Sequence, residues 1–311
     1  MARARTLGLV APSGYMPDPT VVDRAATFFS GRGWQVEAGE SVFSREQRFA
    51  GPDELRLADL MRFATDRSID VVLAARGGYG LSRLLDRIDF TAIRARKPEI
   101  AGYSDFTAFN LAYLARAGGV SLSGPSAGDF GAAAPDPYTI EHFFGLIEAS
   151  RYAVDVTLNG PAGEHAGRLW GGNLVMVAAL LGTPFFPRVR HGILVVEDVN
   201  EPAYKIERLF YQLAHAGVVQ QQQAIVLGDF DPVTPMPNDN GFDLAAVVAR
   251  LREIAGVPVY TGLPYGHGAR KLTLPIGGRA HLTVRRGGRA TLELSAYPSL
   301  RRSPARRGSQ D

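Results

Sequence analysis

The 311-residue sequence contains no cysteine. That excludes disulfides, thiolate metal sites and a cysteine nucleophile, and it fits a reducing compartment. No apolar run approaches the roughly 20 residues a membrane span requires. The short run Leu7–Ala11, broken by Pro12-Ser13-Gly14, is too brief for a secretory leader and reads as a buried strand. A cytoplasmic location without membrane attachment is therefore expected. Net charge is nearly absent too. The formal +3 is carried by the tail Arg301–Asp311, with four arginines and one aspartate, while the other 300 residues hold 30 basic and 30 acidic groups. A neutral body argues against nucleic acid as a partner. The small, polar tail 301–311 is predicted to be disordered.

What is present is a long chain with 46% hydrophobic and 21% charged residues, ordinary for a globular protein and suited to two domains. The first half alternates apolar runs with amphipathic segments. Strands are predicted at Leu7–Ala11, Trp34–Glu37, Val71–Ala75, Glu99–Ala101 and Val120–Ser123. Helices are predicted between them, including Val21–Gly31, one opening at Pro52-Asp53-Glu54, and Phe106–Ala117. This alternation indicates an α/β domain with a mostly parallel sheet flanked by helices. From about Gly124 to Gly167 the sequence reads as loop-rich, with a short helix at His142–Glu148. The breaker cluster Asn159-Gly160-Pro161-Ala162-Gly163 places a domain boundary, giving residues 1–158 and 165–300. The second part reads as an α/β domain richer in β. It has strands at Ile193–Val196 and Ala224–Leu227, and a terminal hairpin of Ala280–Arg286 and Arg289–Ser295 around Gly287-Gly288.

Three places invite chemistry. Ser104, in Gly102-Tyr103-Ser104-Asp105, lies between a strand and a helix start. There it reads either as a helix cap or as a nucleophile near backbone N–H groups. It lacks the second glycine of the Gly-x-Ser-x-Gly elbow. Arg76-Gly77-Gly78-Tyr79-Gly80 ends a buried strand and suits either a tight turn or an oxyanion cradle. Arg76 suits either a substrate carboxylate or a structural ion pair. In the second half, His267 sits between glycines after Pro264, and Glu197, Asp198 and Glu201 compete as its orienting carboxylate. No histidine pair has metal-ligand spacing.

Taken in order, several stretches resemble the LD-carboxypeptidase family of serine peptidases. They are Val10-Ala11-Pro12-Ser13, Arg76–Gly80, Gly102-Tyr103-Ser104-Asp105, Gly171-Gly172-Asn173-Leu174 and Gly182-Thr183-Pro184. The match continues through Glu197-Asp198-Val199, Glu201-Pro202, Tyr204 to Arg208, and Gly262-Leu263-Pro264 to Lys271-Leu272-Thr273-Leu274-Pro275. The resemblance implies a catalytic triad of Ser104, Glu197 and His267, with backbone N–H groups of Gly78 and Asp105 as candidates for the oxyanion hole. It also implies a cleft between domains, a homodimer, no cofactor and no metal. The implied substrate is a small anionic muropeptide, from which terminal D-alanine is released in peptidoglycan recycling. Close relatives of that family instead inactivate microcin-type peptidyl-adenylates. A third possibility is a non-catalytic two-domain ligand-binding protein, which would leave Ser104, Glu197 and His267 far apart.

Overall fold

The computed structural model describes residues 3–233 and 235–300; the Arg-rich tail lies outside the described residues. Two sheets organise the chain. The first pairs, in order, Leu274–Ile276, Ser121–Ser123, Glu99–Ala101, Val71–Ala74, Thr6–Val10 and Gln35–Ala38. Its parallel strands are β1 (Thr6–Val10), β2 (Gln35–Ala38), β3 (Val71–Ala74), β4 (Glu99–Ala101) and β5 (Ser121–Ser123). β1 and β3 are buried along their whole length, because helices cover both faces. The main helices are Thr20–Ser30, Asp53–Thr65, Thr107–Ala117 and Pro137–Ile147. The last is longer than the segment predicted there, because the Asp136 carboxylate caps it by accepting from Thr139 N–H.

The second sheet pairs, in order, Val259–Thr261, Ala224–Leu227, Ile193–Glu197, Gly163–Asn173, Arg279–Val284, Arg289–Ser295 and Arg151–Thr157. β7 (Gly163–Asn173), β8 (Ile193–Glu197), β9 (Ala224–Leu227) and β10 (Val259–Thr261) run parallel. β12 (Arg279–Val284), β13 (Arg289–Ser295) and β6 (Arg151–Thr157) extend β7 antiparallel. The predicted terminal hairpin is β12–β13, and the fold is the expected pairing of a mostly parallel α/β unit with one richer in β. The segment read as loop-rich contains β6 and the start of β7, and the breaker cluster is the turn between them. The two halves also share structure. β11 (Leu274–Ile276) crosses from the second half to the edge of the first sheet, pairing antiparallel with β5. Its Pro275 is tolerated there because an edge strand needs fewer N–H donors.

Candidate active site

Ser104 follows β4 on a one-turn 3-10 segment that leads into the helix Thr107–Ala117. Its φ is +63°, a left-handed conformation unfavourable for a residue with a Cβ. Tyr103, not Ser104, occupies the cap position, and no side chain caps the turn. The helix-cap reading of this serine therefore fails, and what remains is a side chain held in a strained strand-to-helix turn.

The surrounding loops explain how that turn is held. Asp105 is buried and its Oδ2 accepts from Ser13 Oγ (2.6 Å) and Leu81 N–H (2.9 Å). Burial pushes this carboxyl upward, while those hydrogen bonds and one from Gly80 N–H pull the other way. The buried Arg56 donates to the carbonyls of Pro12 and Gly80 and pairs with Asp53. Three loops, around residues 13, 78 and 104, thus form one rigid unit. Gly77 lies directly against the serine: a Cβ there would sit 2.6 Å from Ser104 Cβ and 3.0 Å from its Oγ. The Gly77 carbonyl accepts from Gly14 N–H (3.1 Å), so the Gly78 N–H, anti across the same peptide plane, points the opposite way. Gly78 itself has φ +95° and is exposed.

The second half holds the other two candidate residues. Glu197 ends β8 and is 1% exposed; its Oε2 lies 2.6 Å from His267 Nδ1. A proton on Nδ1 donated to the carboxylate leaves Nε2 free as an acceptor. The structure also separates the three competing carboxylates. Asp198 accepts from Asn173 Nδ2, Val175 N–H and Val199 N–H, each at 2.9 Å, and so fixes the start of the helix Leu174–Ala179. Glu201 pairs with Lys205 at 3.4 Å. Gly266, at φ +142°, lets the histidine loop pass Glu197, since a Cβ there would lie 3.2 Å from Oε2.

The loop carrying His267 is clamped to the first half. Thr139 Oγ1 donates to Ala269 O and accepts from Lys271 N–H, both at 2.9 Å. Tyr265 OH meets Ser123 Oγ at 2.6 Å. Lys271 Nζ is buried, pairs with Asp129, and contacts Tyr103 OH at 3.4 Å. The Tyr103 ring in turn packs edge-on against the His267 imidazole, with centroids 5.0 Å apart. His267 thus contacts Tyr103, the residue that precedes Ser104 in the chain. Among the described residues no hydrogen bond joins Ser104 Oγ to His267. Catalytic hydrogen bonds of unliganded sites often form only with substrate present.

Tyr103, Asp129 and Lys271 were not expected to matter, and only their tertiary contacts reveal it. Arg76 makes no ion pair among the described residues; its Nη1 donates to Tyr15 O at 2.8 Å. A cavity of about 730 Å³ lined by Tyr138, Pro264, Arg270, Arg285 and Arg289 contains none of these groups. The reacting chemistry, not cavity size, locates the candidate site.

Comparison with known proteins shows the family. Residues 7–124 match the LD-carboxypeptidase N-terminal domain and residues 166–282 the LD-carboxypeptidase C-terminal domain. These matches make the chain a serine-type peptidase. It belongs to the LD-carboxypeptidase family. A Bacillus subtilis (strain 168) protein named "Probable murein peptide carboxypeptidase" is 32% identical over 284 residues, covering 90% of this chain and 89% of that one. The crystal structure of muramoyltetrapeptide carboxypeptidase from Oxalobacter formigenes superposes with a TM-score of 0.89 at 38% identity, covering 94% of this chain and all of that one. The microcin C7 self-immunity protein in complex with aspartyl sulfamoyl adenosine has a TM-score of 0.85 at 22% identity, covering 96% and 98% of the two chains. That last likeness shows a shared fold.

Proposed function

We propose that this protein releases the terminal D-alanine of murein tetrapeptides by a Ser104–His267–Glu197 mechanism. Ser104 Oγ attacks the carbonyl of the L-centre while His267 Nε2 takes its proton. Backbone N–H groups of Gly78 and Asp105 hold the oxyanion. As the C–N bond breaks, His267 returns the proton to the departing D-alanine amine. Water, activated by the same imidazole, then hydrolyses the acyl-enzyme and frees Ser104. Glu197 holds the imidazole tautomer throughout. In this reading the nucleophile belongs to an N-terminal domain and the other two residues to a C-terminal one. The enzyme works as a cytoplasmic homodimer in peptidoglycan recycling.

The observation that carries the reading is the 2.6 Å contact of Glu197 with His267, on a loop clamped beside the strained Ser104 turn. The 38% identity to a muramoyltetrapeptide carboxypeptidase supports the substrate. The test is incubation with murein tetrapeptide and tripeptide, measuring free D-alanine. Release is expected from the tetrapeptide alone, and Ser104→Ala should lower it by at least about 10³-fold with an unchanged circular dichroism spectrum. Undiminished release by Ser104→Ala would overturn the mechanism.

A further inference from the structure

A carboxypeptidase must recognise a chain end, and the unit around Ser104 holds, in Arg76, a cation with no carboxylate partner among the described residues. The terminal carboxylate of its substrate is three bonds from the scissile carbonyl carbon, a reach of about 4 Å. The group that binds it must therefore be an immediate neighbour of the nucleophile. Lys271 reaches the serine turn through Tyr103, and Arg76 reaches it through Gly77. Lys271 is buried and neutralised by Asp129. Arg76 is half-buried and, among the described residues, has no carboxylate partner. It is joined to Gly77, whose Cα packs on Ser104, and its Nη1 is anchored on Tyr15 O at 2.8 Å. That single anchor leaves the other guanidinium donors uncommitted to protein among the described residues, in a fork suited to a carboxylate.

We propose that Arg76 is a specificity-determining residue that binds the substrate's terminal carboxylate, restricting cleavage to the last residue of a peptide. This rests on the carboxypeptidase reading above. A bound carboxylate compensates the charge of Arg76 and sets the scissile carbonyl between Ser104 and the Gly78 N–H. An internal peptide bond offers no such anion.

The experiment compares kcat/KM for murein tetrapeptide with that for the same peptide ending in D-alaninamide. Wild type should prefer the free acid. Arg76→Gln should lose roughly 10- to 100-fold on the acid, the scale of a charge-assisted hydrogen bond, and less than about twofold on the amide. The acid preference then collapses. Arg76→Lys, which keeps the charge but not the fork, should fall between, and carries the test if the glutamine variant does not fold. Equal losses on acid and amide would assign Arg76 to holding Tyr15 and overturn the proposal while leaving the carboxypeptidase reading intact. So would an unchanged acid preference. A wild-type protein that releases nothing from the tetrapeptide overturns both.

Discussion

Ser104 and His267, the proposed nucleophile and base, are held by different means. Ser104 stands on backbone: a buried strand, a left-handed residue, and a glycine packed against it where any Cβ would collide. Its supports are hydrogen bonds between loops, gathered on Asp105 and Arg56. His267 stands on side chains. Its loop has no regular structure, and Glu197, Tyr103, Asp129 and Thr139 hold it. The backbone-built half is part of the folding core, so damage to its supports should appear first as lost stability. The half built by side chains rests on contacts that orient His267, and loss of one of those should appear first as lost chemistry.

The sharpest way to break this contrast is Glu197→Gln. The substitution is nearly isosteric and keeps the burial, but an amide cannot stabilise the imidazolium as a carboxylate does. A drop in kcat of about 10⁴-fold is expected, with the urea unfolding midpoint little changed. A large fall in that midpoint with modest loss of kcat would make Glu197 a structural residue and erase the distinction. The opposite pattern is expected of Asp105→Ala. It strips the acceptor from Ser13 Oγ and the N–H groups of Gly80 and Leu81, all inside the protein. A loss of about 3–5 kcal/mol is expected in urea unfolding, with activity failing as a consequence.

The two halves also differed in how far sequence revealed them. The Ser104 turn was visible because its neighbours are local: a strand, a glycine and an apolar helix lie within a few residues. That Glu197, and not Asp198 or Glu201, meets His267 came only from the family resemblance, because all three sit within five residues and only partners distant in the chain distinguish them. Lys271 lay within the matched motif, yet its role depends on Asp129, 142 positions away. β6 was missed although Arg151-Tyr152-Ala153-Val154-Asp155-Val156-Thr157 alternates polar and apolar residues. The proline and glycines that follow outweighed that pattern, yet they form only the turn into β7. β11 has three residues and a central proline; nothing local marks it as a strand, and the first sheet's free edge recruits it.

The smallest effect is expected at the far end of β4, whose near end leads to Ser104. Glu99 opens that strand, and burial pushes its carboxyl up to about 7, with Arg96 only partly opposing the shift. A carboxyl raised in the folded state binds a proton that the unfolded chain releases near its ordinary 4.5. This group's contribution to stability is therefore full below that value and is lost as pH rises through about 7. Glu99→Gln removes the charge and should stabilise the protein at pH 8 by about 2–3 kcal/mol, the gain shrinking to nothing towards pH 4. Urea unfolding at both pH values measures it. The catalytic rate at pH 8 should not change, because the strand's far end bears on the core and not on Ser104. A gain in stability accompanied by a changed kcat would show that the backbone-built half transmits strain from the core to the nucleophile.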